Sequence, residues 1–190
     1  MWAVIFEVQP YAAHEAAYLD TAASLLPRLQ QMPGFVSVER FRSETRPGRL
    51  LSLSKWQDEA ALRGWREMPE HRAAQRKGRE RLFEDYRLRV GELRSLEAGE
   101  AQGWCAVLEW AGDGLPWPDA LAGLERYRSL KQEHGRAAIG SVQGTQALAA
   151  CRLLLGDERA IACGLKLSLC TVNRDYGLND RAQAPHENRT

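Results

Sequence analysis

The feature that most constrains the fold is a short segment that occurs twice in the chain of 190 residues. Residues 104–110 (WCAVLEW) repeat the pattern of residues 2–8 (WAVIFEV). Trp and Glu recur in place at a constant offset of 102 residues, and the apolar residues between them match in type. An internal repeat of this kind predicts two structural units that begin with the same strand. The chain is long enough for two domains of about 90 residues each.

The first half, residues 1–94, contains a complete series of strand and helix signals. Strands are indicated by aromatic or β-branched runs between turn residues, and helices by apolar residues at helical spacing. In chain order we predict a strand at 2–8, a helix at about 13–31, strands at 35–43 and 50–56, helical pieces at 59–66 and 70–81, and a strand at 85–90. This β-α-β-β-α-β order is that of a ferredoxin-like α+β unit.

The second half, residues 104–172, repeats this order only in part. After the strand at 104–110 we predict a helix at 119–134, because Leu121, Leu124, Tyr127 and Leu130 follow each other at helical spacing. Strands are then predicted at 138–148, 151–155 and 160–172. No amphipathic segment matches residues 58–81, so we expect a degenerate repeat that lacks the second helix. Residues 95–103 are expected to be a linker, and residues 173–190 a polar, extended tail.

Charge and hydropathy exclude several classes of protein. The 26 Lys and Arg residues are offset by 25 Asp and Glu residues, so no cationic excess is available for nucleic-acid phosphates. No apolar run approaches the roughly 20 residues that span a bilayer, and the N-terminus lacks the basic region of a signal peptide. We therefore expect a cytoplasmic protein with neither nucleic acid nor membrane as partner. The four cysteines show no CxxC spacing, so we expect reduced thiols and no metal site.

Several stretches of the first half resemble the antibiotic biosynthesis monooxygenase family. They are residues 2–8, residues 34–41 (GFVSVERF), residues 51–56 (LSLSKW) with Trp65 and residues 69–75 (PEHRAAQ), and the strand at 85–90 (DYRLRV). The segment 174–181 (RDYGLNDR) also resembles a tail that closes short single-domain members. The resemblance covers about residues 1–94 and implies ferredoxin-like units whose sheets pair into a dimeric α/β barrel.

The resemblance leaves open which sheets pair in that barrel. The two halves of one chain could pair with each other, or the first halves of two chains could pair. Exposed sheet edges require a partner in either case. From the family arrangement we expect a homodimer.

The family includes oxygenases of polyketide quinones that use no cofactor. The resemblance therefore implies a monooxygenase without a cofactor, acting on a small, planar, aromatic or quinone-like molecule in a pocket between sheet and helices. His71 is the candidate base and Tyr86 the candidate hydrogen-bond donor to an enolate. Trp56 and Trp65 are candidates for an aromatic wall, and Arg72 for binding the substrate.

Each of these residues also has an ordinary structural interpretation. The histidine could cap a helix or lie on the surface, and both tryptophans could belong to the core. Tyr86 could place its hydroxyl at the rim of the sheet. The basic run that begins at Arg72 is typical of a solvated helix face.

Two alternative functions remain from the sequence. Heme-degrading members of the family use a helix histidine and an asparagine on the first strand. The histidine position falls at Gln75 and the first strand carries Glu7, so heme binding would need His71 as a displaced ligand. The second alternative is a non-catalytic module for ligand binding or assembly, in which the decayed copy survives as a structural partner.

Overall fold

The computed structural model describes residues 1–96 and 104–185. The strands and helices of the first half are β1 (Trp2–Pro10), α1 (Glu15–Gln30), β2 (Phe35–Ser43), β3 (Leu50–Trp56), α2 (Glu59–Glu67), α3 (Pro69–Lys77) and β4 (Phe83–Arg94). Those of the second half are β5 (Trp104–Ala111), β6 (Glu125–Ser129), β7 (Gly135–Val142), α4 (Gly144–Gly156), α5 (Glu158–Ala162) and β8 (Lys166–Gly177). The ferredoxin-like order predicted for the first half is confirmed.

Local signals in the sequence account for the boundaries of the first half. Gly34 turns the chain from α1 into β2 with a φ of +74°, a conformation that side chains disfavour. The Asp58 side chain accepts a hydrogen bond of 2.8 Å from the backbone N–H of Ala61 and so caps the start of α2. Pro69 begins α3, where a missing backbone N–H costs nothing. The second helix of the unit is therefore split into two pieces.

The eight strands form one closed barrel in the order β1-β3-β2-β6-β7-β5-β8-β4. Each half contributes four adjacent strands, with β1 and β5 at equivalent positions. The halves join where residues 41–43 of β2 pair with residues 127–129 of β6, and where residues 87–94 of β4 pair with residues 169–177 of β8. The two halves therefore pair within the chain, and closure satisfies the sheet edges. The expected homodimer stays a prediction.

Side chains that point into the barrel are mostly apolar, but a buried polar group crosses its interior. The carboxylate of Glu7 accepts a hydrogen bond of 2.6 Å from the Tyr127 hydroxyl and pairs with the guanidinium of Arg89. Glu109, which repeats Glu7, pairs with Lys55. The glutamate shared by the two copies thus forms an ion pair in each, which gives a physical reason for its recurrence.

The helix predicted at residues 119–134 is wrong. Residues 119–121 form a single 3-10 turn, and the chain then enters β6. The apolar residues that recur at helical spacing do not share one environment. Leu121 and Leu124 pack against α4, whereas Tyr127 points into the barrel. Leu130 is 42% exposed. Only 13 residues separate β5 from β6, whereas 24 residues (11–34) separate β1 from β2 and include α1.

The two strands predicted at 151–155 and 160–172 also need correction. Residues 144–156 form α4, which buries Ala147, Ala150, Cys151 and Leu154 at helical spacing, and residues 158–162 form α5. The degenerate copy therefore lacks the first helix of the unit and keeps the second. The strand predicted at 138–148 ends at Val142 as β7.

The predicted linker and tail are only partly within the described residues. Residues 97–103 and 186–190 lie outside them. Residues 173–177, predicted as the start of a free tail, instead continue β8 and pair with β4. No helix in the part of the chain that the structure describes is long and apolar enough to cross a membrane. The four cysteines carry free thiols.

Candidate functional site

A cavity of about 430 Å³ lies between the outer face of the first-half sheet and its helices. Its floor includes Val4 and Phe6 of β1, with Ser52 and Ser54 of β3 beside them. Side chains of α1, α2 and α3 form the roof. The volume falls in the range of about 300–1,000 Å³ that is usual for small-molecule sites.

All five site residues predicted from the sequence line this one cavity, namely Trp56, Trp65, His71, Arg72 and Tyr86. Both tryptophans are also core residues, with exposures of 1% for Trp56 and 9% for Trp65. The indole N–H of Trp56 donates to the Ser54 hydroxyl over 3.1 Å. Arg72 is exposed. The structure brings the candidates together, and their roles stay predictions.

His71 is held in a defined orientation by two contacts with the same tryptophan. Its Nδ1 lies 3.0 Å from the backbone carbonyl oxygen of Trp65, and its ring stacks on the Trp65 indole at 4.4 Å between centroids. A carbonyl oxygen only accepts, so Nδ1 carries the proton. Nε2 is then left with a free lone pair, as a base or an acceptor requires. The Gln75 amide nitrogen lies 3.4 Å from Nδ1.

Burial keeps His71 uncharged. Removal of the ring from water lowers the pKa of His71, and the hydrogen bond to the Trp65 carbonyl raises it by a smaller amount. The net result is a fall of the pKa from 6.5 to about 4. The imidazole is therefore neutral throughout the physiological pH range. A negative charge developing on a bound ligand would favour the protonated form, so the site could take up a proton as that charge forms.

Tyr86 is buried at the sheet surface beside Phe6, with 5.6 Å between the ring centroids. Its hydroxyl oxygen accepts a hydrogen bond of 2.7 Å from the guanidinium of Arg181. The phenolic proton is not used in this bond, so Tyr86 can donate it to a ligand. The neighbouring cation makes the phenol a better donor.

The sequence did not predict that the end of the second half completes the cavity. Arg174 and Tyr176 of β8, followed by Arg181 and Pro185, all line it. Arg174 pairs with Glu59 at the start of α2 over 2.8 Å, which links β8 to the roof. The resemblance of residues 174–181 to a closing tail was the signal available in the sequence. Arg40 of β2 lies within the stretch 34–41 that resembles the family, but its residue type alone did not select it as a site residue.

Comparison with known proteins identifies the first half. The family model described as antibiotic biosynthesis monooxygenase matches residues 1–77. The uncharacterized protein YqjZ of Bacillus subtilis is 34% identical over 92 residues, which cover 48% of this chain and 78% of YqjZ. This chain belongs to the antibiotic biosynthesis monooxygenase family. Residues 1–77 contain three of the four first-half strands and the helices α1, α2 and α3, which together supply most of the cavity lining.

A second family member comes from Pyricularia oryzae. Its jasmonate monooxygenase ABM is 47% identical over 93 residues, which cover 49% of this chain and 43% of that protein. The chain therefore spans less than half the length of this relative. Among solved structures, an oxygenase from Streptomyces nogalater, the cofactor-independent SnoaB, matches with 17% identity and a TM-score of 0.44, covering 50% of this chain and 93% of SnoaB.

Proposed function

We propose that this family member is a cofactor-independent oxygenase that oxidises a small, planar, electron-rich aromatic or quinone-like molecule in the cavity. The observation that carries the proposal is the orientation of His71, with Nδ1–H on a carbonyl and Nε2 unprotonated in the cavity. The monooxygenase name of the Pyricularia relative, which shares 47% identity over the matched half, supports oxygenation as the reaction class.

The reaction begins with removal of a proton from an activated C–H of the substrate. Nε2 of His71 takes this proton, and the electron pair of the broken bond becomes a carbanion that is delocalised as an enolate. Dioxygen adds to the carbanion carbon and gives a peroxide. The peroxide accepts the proton from His71, and a second proton leaves the same carbon as water departs. One oxygen atom stays in the new carbonyl and the other leaves in water, so atoms and electrons balance.

The other candidate residues would act on the charge and position of the substrate. Tyr86 donates its hydroxyl proton to the enolate oxygen, with Arg181 behind it. The indoles of Trp56 and Trp65 hold the flat face of the substrate. Arg72 contributes positive charge at the exposed part of the lining.

Oxidation of anthrone tests the proposal. Anthrone and dioxygen give anthraquinone and water, and both oxygen uptake and anthraquinone absorbance report the rate above the uncatalysed background. We expect His71→Asn to lower the rate by about 100-fold or more, as loss of a general base does. His14→Asn is the matched control, because His14 is exposed and lies outside the cavity lining. Equal rates for both variants would remove His71 as the base.

Heme binding is the second candidate, and the orientation of His71 also favours it. Histidines that bind metals usually fix Nδ1–H on an acceptor and bind through Nε2. Gln75, the position that the resemblance assigns to the heme histidine, lines the cavity with an amide. The residues therefore fit heme only if His71, one helical turn earlier, is the ligand, and heme would then supply oxygen activation.

A hemin titration separates the two candidates. A saturable, shifted Soret band that is lost in His71→Ala would establish a heme site. If the spectrum of the mixture is the sum of the spectra of the protein and of free hemin, heme binding is excluded. Cofactor-free oxygenation and the non-catalytic module then remain as the two candidates. Absence of both hemin binding and anthrone turnover would favour that module.

A further inference from the structure

Arg40 places an unpaired positive charge in the cavity. It lies on the outer face of β2, and its Nη2 donates weakly to the backbone carbonyl of Ala22 in α1, over 3.4 Å. Within residues 1–96 and 104–185 its guanidinium forms no ion pair, and its buried Nε–H has no hydrogen-bond partner. Taking a cation and its N–H groups out of water without compensation is costly.

Two other arginines that line the cavity are paired with carboxylates. Arg66 pairs with Glu67 over 2.7 Å and Arg174 with Glu59 over 2.8 Å. Arg181 donates to the Tyr86 hydroxyl. Arg40 differs from Arg66 and Arg174 because no carboxylate pairs with its charge within the described residues.

Two hydroxyl groups lie near this guanidinium. Ser52 stands opposite Arg40 in the β2–β3 register and lines the same cavity, and its hydroxyl makes no hydrogen bond in the described part of the chain. The Tyr18 hydroxyl also lines the cavity; burial raises the pKa of Tyr18, while the charge of Arg40 and a hydrogen bond from its guanidinium lower it by less. The wall around Arg40 therefore offers a guanidinium and two hydroxyl groups as hydrogen-bond donors, and no carboxylate among the described residues.

We propose that the ligand of this cavity carries a carboxylate, which Arg40 and Ser52 bind while the apolar body of the ligand lies on the sheet. A guanidinium presents parallel N–H donors that match the two oxygens of a carboxylate. Val4 and Phe6 supply the apolar contact from β1, which lies on the other side of β3 from β2. The proposal rests on the proposed function only in placing the substrate in this cavity.

Paired probes test the charge preference. 2-Naphthoate and 2-naphthamide have the same ring system and nearly the same size, and only the first carries a charge. Dissociation constants are measured by calorimetry with the full chain. We expect naphthoate to bind at least about tenfold more tightly than naphthamide, as a charge-assisted hydrogen bond implies. Arg40→Met should remove this preference and leave the affinity for naphthamide unchanged.

Arg42→Met is the matched control for the loss of a positive charge. Arg42 is two residues further along the same face of β2, but its guanidinium pairs with Glu15 over 2.6 Å and lies outside the cavity lining. This variant should keep the naphthoate preference. Circular dichroism and the urea midpoint show whether each variant is folded.

Each remaining outcome is decisive. Equal binding of the two probes to the unmodified protein would overturn the carboxylate proposal and leave the cavity as a ligand site. A preference that persists in Arg40→Met would overturn Arg40 as the anchor. Absence of binding by either probe would also overturn the proposal. Naphthoate discrimination without anthrone oxidation would keep the carboxylate site and would count against anthrone, which has no carboxylate, as a substrate.

Discussion

Acid should destabilise this protein through His71. The pKa of this side chain is 6.5 when the chain is unfolded and about 4 when it is folded. Between these two values the unfolded state binds a proton that the folded state does not bind. The free energy of unfolding contributed by His71 is therefore at its full value above pH 6.5 and falls as the pH falls toward 4.

The size of the effect follows from the two pKa values. For a shift from 6.5 to about 4, the free energy of unfolding falls by about 2 kcal/mol between pH 7.5 and pH 5. The limiting loss, reached below pH 4, is about 3 kcal/mol. With a urea slope of about 2 kcal/mol per molar, the loss at pH 5 moves the urea midpoint down by about 1 M.

The assay is urea unfolding at both pH values, for the unmodified protein and for His71→Asn. Asparagine keeps an N–H donor near the position of Nδ1 and removes the titration. Carboxylates and the other histidines contribute to the loss of stability in acid of both proteins. Their contributions cancel when the loss of the variant is subtracted from the loss of the unmodified protein. We expect the unmodified protein to lose about 2 kcal/mol more than the variant. Equal losses would show that His71 has an ordinary pKa in the folded state and refute its desolvation.

Three further predictions concern the barrel. Glu7→Gln leaves the buried guanidinium of Arg89 without its counter-charge, and we expect urea unfolding to show a loss of about 3 kcal/mol. In Gly91→Ala the new Cβ would lie 2.1 Å from the backbone oxygen of Thr171 between β4 and β8, so we expect urea unfolding to show severe destabilisation. Gly123→Ala is the control, because no atom beyond its chain neighbours lies within 4 Å of its new Cβ, and its urea midpoint should equal that of the unmodified protein. Because the barrel closes within the chain, we now expect a monomer in place of the homodimer that the family arrangement implied, so light scattering should give a mass near 21.4 kDa; a doubled mass would support the homodimer.

The first half was predictable because its local signals agree with its tertiary environment. β4 alternates buried and exposed residues around Tyr86, and Asp58 and Pro69 mark helix starts that the structure keeps. In the second half the same signals mislead. Leu124 and Tyr127 fit one helical stripe, yet they pack on opposite sides of the sheet. Periodicity cannot distinguish a helix from a turn followed by a short strand.

The candidate site was predictable where the residue type itself suggested a role within a stretch that resembles the family. Trp65, His71 and Tyr86 came from the helical pieces and strand that resemble the family. Arg40 and Arg181 reach the same cavity from a different strand and from the end of the second half. Arg40 reaches the cavity within the first-half sheet, whereas the position of Arg181 depends on the pairing of β8 with β4, which no local pattern specifies.

The loss of one helix explains why the two copies have different structural roles. The first half keeps both helical segments of the unit, and the cavity lies beneath them. In the second half α4, α5 and residues of the β5–β6 connection pack on the outer face of the sheet in one apolar cluster. That half instead pairs with the edges β2 and β4 and extends β8 so that Arg174 and Tyr176 reach the cavity. Residues 1–96 alone would have two unpaired sheet edges and a cavity without this wall, so a complete site requires both copies.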